Sequence, residues 1–221
     1  MTWVKICGMT NLEDALTAVE AGADAVGFVF YEKSPRKISV EAAREIVEKL
    51  PGRLDKIGVF VNEPPDRVSA VADDAGLTAV QFHGDEYRNP KQYSLRGKTF
   101  FCLPVVDMLR EMRGQSGFFG IPRFPRGAGV LLDSGNQEQR GGTGRTFAWG
   151  EAHGFVSVVQ KFYPVVIAGG LSSSNVGWAV EYLKPWGVDV VSGVEATPGK
   201  KDPEKVRAFV KAVRDADRKV S

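Results

Sequence analysis

The feature that most restricts the fold of this 221-residue chain is the alternation of short apolar runs with longer amphipathic segments. The pair recurs roughly every 20 to 35 residues along the chain. The apolar runs are rich in β-branched and aromatic residues, a composition typical of buried strands. Eight strands are predicted: Trp3–Cys7, Ala25–Phe30, Lys56–Val61, Ala79–Phe82, Thr99–Leu103, Val130–Asp133, Val165–Ala168 and Val188–Val191.

Helices are predicted after most of these strands. Asn11 is expected to cap the first helix, which ends near Gly22, and Ser39 the second, which stops at Pro51-Gly52. Only a weak helix is predicted from Asp85 to Arg96. The segment from Pro104 to Gly127 has a short helical stretch, followed by residues rich in Gly, Pro and Phe. Further helical patterns run over Pro65–Ala75, Asn175–Leu183 and Asp202–Ala216.

The β/α alternation is compatible with a closed barrel or an open doubly wound sheet. Eight units in so short a chain favour the barrel, and no G-x-G-x-x-G motif follows the first strand, as a dinucleotide-binding open sheet would require. We therefore predict one (β/α)₈ TIM barrel of eight parallel strands over residues 1–221, with the active site at the C-terminal ends of the strands.

Charge and cysteine content indicate the compartment and exclude some partners. A net charge of +2 argues against nucleic-acid binding, and the mixed charges of the last twenty residues are those of a solvated helix face. Two cysteines are too few for a disulfide framework, and we find neither a signal peptide nor an apolar stretch long enough for a membrane. The expectation is a soluble cytoplasmic protein without a membrane partner.

Residues capable of chemistry are concentrated at the predicted C-terminal strand ends, whereas the strand beginnings carry few of them. This asymmetry is typical of enzymes built on a barrel. The residues concerned are Cys7, Arg36 in the loop after strand two, Asn62, Gln81, His83, Cys102, Asp133, Gly169, Gly170, Ser192 and Gly193.

Glycines follow the last two strands, at Gly169-Gly170 and at Ser192-Gly193. Many barrels bind phosphate after strands seven and eight, where glycine lets backbone N–H groups approach the oxygens. A lone Gly-Gly is equally typical of a tight turn, so it is the paired occurrence that favours a phosphate site.

The two-residue period of a strand places Lys5 and Cys7 on one face and Val4 and Ile6 on the other. Since a charged Lys5 facing the helices would be costly, Lys5 and Cys7 are expected to face the barrel interior. A nearby ammonium group favours a thiolate, so Lys5 would help Cys7 act as a base. The alternative for a cysteine on a strand is inert packing, which is our interpretation of Cys102.

Asp133 ends an apolar strand, where a carboxylate is rarely structural unless it is paired. Partial burial would let it hold a proton and donate it. His83 is the rival acid–base group, although a histidine at this position can instead orient the substrate or cap a loop.

Several segments, in order along most of the chain, resemble phosphoribosylanthranilate isomerase. The combination of KICG with SGVE-x-x-PGKKD is the most specific. The similar segments are VKICGMTNLEDA (from Val4), GADAVGFVFYEKSPRKIS (from Gly22), IGVFVNEPP (from Ile57), AVQFHGDE (from Ala79), LLDS (from Leu131), GGTGRTFAW (from Gly141), AGGLSSSNV (from Ala168) and VDVVSGVEATPGKKD (from Val188).

The resemblance implies the Amadori rearrangement of N-(5′-phosphoribosyl)anthranilate to 1-(2-carboxyphenylamino)-1-deoxyribulose 5-phosphate in tryptophan biosynthesis. It implies no cofactor and no metal, a small phosphorylated substrate, and either a monomer or a homodimer. Asp133 would be the general acid and Cys7 the general base. Arg36 would bind the anthranilate carboxylate, with Lys5, Gln81 and His83 also in the substrate site. Gly142, Gly169, Gly170, Ser192 and Gly193 would serve the phosphate, with Gly142 to Gly144 in a mobile loop over the pocket.

The sequence departs from the family between Pro104 and Gly127, which leaves one pocket wall in question. The sister isomerase of histidine biosynthesis and a dual-substrate enzyme are disfavoured because Cys7 stands where they would have an aspartate. Indoleglycerol-phosphate synthase would need a lysine pattern and an N-terminal extension. A cysteine hydrolase would need a helix N-terminus and a paired histidine. A non-catalytic sugar-phosphate-binding barrel is disfavoured by the presence of both Cys7 and Asp133.

Overall fold

The computed structural model describes residues 1–93, 97–105, 123–133 and 149–220. Within them, eight parallel strands, β1 to β8, pair in sequence order, and β8 pairs with β1 to close the barrel. The strands are β1 (Trp3–Cys7), β2 (Ala25–Val29), β3 (Asp55–Phe60), β4 (Ala79–Phe82), β5 (Lys98–Pro104), β6 (Gly129–Asp133), β7 (Val165–Ile167) and β8 (Gly187–Val190). The predicted fold is confirmed.

The first two helices begin where the sequence places a side-chain cap. The Asn11 side chain accepts a hydrogen bond from the Asp14 N–H, and Ser39 does the same for the Ala42 N–H. The last helix runs four residues past the predicted Ala216. The described helices are α1 (Leu12–Glu20), α2 (Val40–Val47), α3 (Pro65–Asp74), α4 (Trp149–Val159), α5 (Val176–Leu183) and α6 (Pro203–Val220). None of the helices in these ranges has the length and apolar character of a membrane span.

The strand register divides the core into two layers. Lys5 aligns with Ala25 on one side and with Asp189 on the other, so these residues share the inward face of the barrel. The inward apolar layer includes Ala25, Ile57, Ala79, Phe100, Cys102, Leu131, Val166 and Ala168. The alternate residues, Val4 and Ile6 among them, pack against the helices, as the strand period predicts.

The structure differs from the prediction in three places. The weak helix expected from Asp85 to Arg96 consists of two short 3₁₀ helices, Asp85–Arg88 and Pro90–Tyr93. Helix α4 was not predicted, because its two glycines and its valines weaken the helical pattern. A short antiparallel pair, β9 (Glu195–Thr197) and β10 (Lys200–Lys201), follows the barrel. Residues 106–122, within the segment where a short helical stretch is predicted, lie outside the described residues.

Candidate active site

Cys7 and Asp133 line a common cavity at the C-terminal end of the barrel. Cys7 ends β1 and Asp133 ends β6, and both side chains are buried. The cavity has a volume of about 190 Å³ and contains a thiol, a carboxyl, an imidazole and a guanidinium group. Its polar lining comes from Cys7, Tyr31, Lys33, Ser34, Arg36, Gln81, His83, Asp133 and Asp189. The predicted acid–base pair therefore shares one pocket.

The space for Cys7 and Lys5 exists because β2 contributes a glycine beside them. Gly27 aligns with Cys7 in the register. A Cβ atom added at Gly27 would lie 2.5 Å from the Cys7 Sγ and 3.0 Å from the Lys5 Cε. No larger residue fits on this inward face while the thiol and the ammonium group keep their positions.

Lys5 is 1% exposed, and its charge is compensated inside the barrel. Its Nζ donates to the Asp189 Oδ1 at 3.0 Å and to the Gln81 Oε1 at 2.9 Å. Burial lowers the pKa of Lys5, but the Asp189 carboxylate and the neighbouring Cys7 outweigh it and raise the pKa above its ordinary value. Lys5 is therefore an ammonium ion at neutral pH.

The pKa of Cys7 is set by opposing effects. Burial raises the pKa of the thiol, the Lys5 ammonium group lowers it, and Asp189 raises it again. The net pKa lies above the ordinary value, because the desolvation of the thiolate exceeds the help from Lys5. Lys5 thus acts in the predicted direction but does not by itself lower the pKa of Cys7.

His83 lies between Gln81 and Asp133. Its Nδ1 is 3.1 Å from the Gln81 Nε2, and its Nε2 is 3.6 Å from the Cys102 Sγ and 3.9 Å from the Asp133 Oδ2. Cys102 is buried in the inward apolar layer, as expected for a core residue. Burial and the nearby Asp133 carboxylate hold the pKa of Cys102 well above its usual range, so it stays a thiol.

Arg36 reaches the cavity from the loop between β2 and α2. Its Nε and Nη2 donate to the two oxygens of Glu195, at 2.8 and 2.7 Å. This bidentate pair uses one edge of the guanidinium group and fixes its plane. The hydrogen bond to Glu195 raises the pKa of Arg36, which therefore keeps its charge.

Glu195 also binds the buried Lys201, whose Nζ lies 3.1 Å from the Glu195 Oε1. Burial raises the pKa of Glu195, but the bonds from Arg36 and Lys201 outweigh it and lower the pKa below its ordinary value. Burial lowers the pKa of Lys201. The β9–β10 pair thus supplies the group that orients Arg36.

The two predicted glycine segments meet after β7 and β8. Gly169 and Gly170 have positive φ angles of 81° and 64°. A Cβ atom added at Gly193 would lie 1.9 Å from the carbonyl oxygen of Leu171. The turn after β8 therefore packs directly on the backbone after β7, an arrangement that only glycine permits. The fifth predicted phosphate residue, Gly142, lies outside the described residues, as does the loop from Gly142 to Gly144.

Three charged residues that pair with Lys5 or Arg36, directly or through each other, were not predicted from the sequence: Asp189, Glu195 and Lys201. Asp189 carried a signal, because it is a carboxylate at an inward position of an apolar strand. The roles of Glu195 and Lys201 depend on contacts with Arg36, which is 159 residues from Glu195 in the chain. The positions of Glu195 and Lys201 in the sequence do not indicate these contacts.

The fold and this cavity define a (β/α)₈ barrel with a thiol and a carboxyl group in one cavity at the C-terminal ends of its strands. Comparison with known proteins gives the family. Residues 4–212 match the sequence profile of N-(5′phosphoribosyl)anthranilate (PRA) isomerase. The chain belongs to the family of PRA isomerases.

Known PRA isomerases are similar in sequence to this protein over almost its whole length. The N-(5′-phosphoribosyl)anthranilate isomerase of Geotalea uraniireducens is 46% identical over 97% of this chain and 99% of its own. The crystal structure of the Thermotoga maritima enzyme is 41% identical, covers 97% of this chain and 100% of its own, and gives a TM-score of 0.81. A solved PRA isomerase in complex with reduced 1-(o-carboxyphenylamino)-1-deoxyribulose 5-phosphate is 40% identical over the same shares, with a TM-score of 0.78.

Proposed function

We propose that this protein catalyses the Amadori rearrangement of N-(5′-phosphoribosyl)anthranilate to 1-(2-carboxyphenylamino)-1-deoxyribulose 5-phosphate, a step of tryptophan biosynthesis. The observation that carries the proposal is the shared cavity of Cys7 and Asp133. General acid–base chemistry needs both groups within reach of one substrate. Family membership supplies the substrate class, and we propose that the enzyme acts in the cytoplasm.

Asp133 is the proposed general acid. It donates a proton to the ribose ring oxygen as the bond from that oxygen to C1′ breaks. The lone pair of the anthranilate nitrogen forms the new C=N bond, so the product of this step is an open-chain Schiff base. Asp133 is left as a carboxylate.

Cys7 is the proposed general base. Its thiolate removes the proton from C2′, the electrons of that C–H bond form a C1′=C2′ double bond, and the C=N electrons return to nitrogen. The resulting enolamine loses its hydroxyl proton and gains one at C1′, which yields the ketone. These steps redistribute protons in the substrate and leave its total oxidation state unchanged.

Binding groups hold the two ends of the substrate on either side of this pair. Glu195 occupies the Nε–Nη2 edge of Arg36, a residue that lines the cavity, and the remaining donors of its guanidinium group suit the anthranilate carboxylate. The paired glycine segments at Gly169-Gly170 and Ser192-Gly193 suit the phosphate. Gly142 is proposed as an additional phosphate residue on the strength of the family resemblance.

The assignment is tested by following the loss of substrate fluorescence in the wild-type protein and in two variants. Cys7→Ser and Asp133→Asn are each expected to reduce kcat by at least ~10²-fold, the usual contribution of a general acid or base. Gly154→Ala in α4 is the control, because a Cβ atom there meets open space. Near-normal rates in both active-site variants would contradict the assigned roles, and an inactive wild-type protein would contradict the proposed function.

A further inference from the structure

A line of hydrogen bonds connects the barrel centre to His83, which lies beside the proposed acid. Asp189 accepts from the Lys5 Nζ, the Lys5 Nζ also donates to the Gln81 Oε1, and the Gln81 Nε2 meets the His83 Nδ1. The other ring nitrogen of His83 faces the Cys102 Sγ and the Asp133 Oδ2. Lys5, Gln81 and Asp189 are each at most 5% exposed, so water does not replace these bonds.

The orientation of the Gln81 amide follows from the chemistry of Lys5. An ammonium group has three donors and no acceptor. The Gln81 atom that lies 2.9 Å from the Lys5 Nζ must therefore be the carbonyl oxygen. Rotating the amide by 180° would place its NH₂ group against the ammonium group, where two buried donors would face each other.

The tautomer of His83 follows from the orientation of Gln81. With its oxygen held by Lys5, Gln81 presents its NH₂ group to the His83 Nδ1 at 3.1 Å. The Nδ1 must accept this hydrogen bond, so it carries no hydrogen. In a neutral imidazole the hydrogen then lies on Nε2.

We propose that Lys5, acting through Gln81, holds His83 as the neutral Nε2–H tautomer, so that a fixed N–H donor faces Asp133. The inference rests on the proposed function for the role of Asp133. The His83 Nε2 lies 3.6 Å from the Cys102 Sγ and 3.9 Å from the Asp133 Oδ2. The positive end of this N–H dipole favours the carboxylate that Asp133 becomes when it gives up its proton.

The same arrangement argues against the acid–base role considered for His83. A general base must accept a proton, yet the Nδ1 of His83 is occupied by the Gln81 NH₂ group and the Nε2 already carries a hydrogen. Protonating the ring at Nδ1 would require Gln81 to rotate against Lys5. His83 is therefore a positioning residue for Asp133 and not a second acid–base catalyst.

The tautomer also argues against a metal site at this place. Single ligand atoms of His83, Cys102 and Asp133 lie within 4.8 Å of one another, close enough to surround a cation. A metal bound at the His83 Nε2 would move the ring hydrogen to Nδ1, where it would meet the Gln81 NH₂ group. The proposal therefore predicts that Zn²⁺ fails to bind these three groups in the wild-type protein.

The ¹⁵N NMR spectrum of the imidazoles tests the proposal directly. The chain has two histidines, so the variant His153→Gln leaves only the signals of His83. We expect a two-bond correlation pattern with an unprotonated Nδ1 and a protonated Nε2 at neutral pH. A pattern with the hydrogen on Nδ1, or an imidazolium ion, would overturn the proposal.

Gln81→Glu reverses the predicted tautomer with little change of shape. Both carboxylate oxygens accept, one from Lys5 and the other from His83, so the hydrogen should move to Nδ1 and the Nε2–H signal should be lost. We expect kcat to fall by at least ~10-fold with little change in KM, a smaller loss than the ~10²-fold expected for removing the acid itself. If Gln81→Glu showed the wild-type ¹⁵N pattern, Gln81 would not set the tautomer of His83.

A second pair of variants separates positioning from packing. His83→Gln keeps an N–H donor near the Nε2 position, whereas His83→Leu fills the space without a donor. We expect most of kcat to be retained in His83→Gln and lost in His83→Leu, and equal activities in the two would contradict the proposal. Because the NMR test needs no turnover, it holds or fails independently of the proposed function.

Discussion

At the residue scale, the inward face of this barrel carries charge where a fully apolar core would be expected. Lys5 and Asp189 are both nearly inaccessible and lie 3.0 Å apart. Such a pair is retained because removing one partner would leave the other charged and desolvated. Its position one layer below Cys7 connects the interior of the barrel to the chemistry at its end.

Replacing Lys5 tests how far that charge acts on Cys7. In Lys5→Met the pKa of Cys7 should rise further, since Lys5 is the group that lowers it against burial. The measurement is the rate of alkylation by iodoacetamide against pH, with mass spectrometry to separate Cys7 from Cys102. Lys98→Met is the control, because Lys98 pairs with Asp55 at the opposite end of the barrel. An unchanged pKa of Cys7 would remove Lys5 from the mechanism.

Replacing Glu195 tests the orientation of Arg36. In Glu195→Gln the bidentate contact is lost, and KM should rise at least roughly tenfold, because a hydrogen bond to a charged group contributes about 1.5–3 kcal/mol. The kcat should change less than KM, since Arg36 touches no reacting atom in the proposed mechanism. Lys200→Ala on the neighbouring exposed surface is the control. An unchanged KM would show that Arg36 keeps its orientation without Glu195.

Glu195→Gln should also change how the free energy of unfolding depends on pH. The pKa of Glu195 is lowered by folding, so its contribution to stability is present above the unfolded pKa near 4.5 and disappears as the pH falls through the folded value. Urea unfolding of Glu195→Gln should therefore show a smaller loss of stability below pH 4.5 than the wild-type protein. If the free energy of unfolding fell equally with decreasing pH in both proteins, Glu195 would make no such contribution.

At the element scale, the turns after β7 and β8 form one unit. They meet where Gly193 lies against the backbone of Leu171, and a contact between backbones has no side chain that could rotate away. A phosphate placed on this unit would be held by the segments that follow both strands.

Gly193→Ala tests the phosphate site at this scale. The added Cβ must push the two turns apart, so we expect KM to rise at least roughly tenfold and inhibition by inorganic phosphate to weaken, because about 1.5–3 kcal/mol accompanies each lost bond to a charged group. The pH dependence of Cys7 alkylation should be preserved. Gly154→Ala again serves as the matched control. Unchanged phosphate inhibition would place the phosphate elsewhere.

At the scale of the whole molecule, α6 joins the end of the chain to its beginning. The Asp217 carboxylate accepts from the Thr2 N–H at 3.0 Å and from the Thr2 Oγ1 at 2.6 Å. Arg214 binds Asp24, which in turn accepts from the Val4 N–H. These bonds stabilise β1 next to β8, where the barrel closes.

Asp217→Ala should lower the free energy of unfolding by about 1–3 kcal/mol, because it leaves buried donors of Thr2 without their acceptor. Asp215→Ala on the exposed side of α6 should cost much less, because solvent screens the ion pairs of Asp215. Urea denaturation measures both, and kcat and KM should stay at wild-type values because the contact lies at the opposite end of β1 from Cys7. Equal losses in the two variants would contradict a role in closure.

The sequence alone determined the fold class and the position of the proposed acid–base pair. The strand period shows which side chains share a face, and eight β/α units in 221 residues favour a barrel over an open sheet. Lys5, Cys7 and Asp133 could therefore be placed in one interior before any contact was known. Helix caps at Asn11 and Ser39 were equally readable, since a cap acts within three residues of chain.

Only the tertiary structure decided how the charges are compensated. Asp189 meets Lys5 across 184 residues, and Glu195 meets Arg36 across 159. Burial, which outweighs the effect of Lys5 on the pKa of Cys7, is a property of the closed barrel and not of the strand. The tautomer of His83 depends on Gln81 and Lys5 together. Such pairings depend on distances between strands, and no spacing along the chain encodes them.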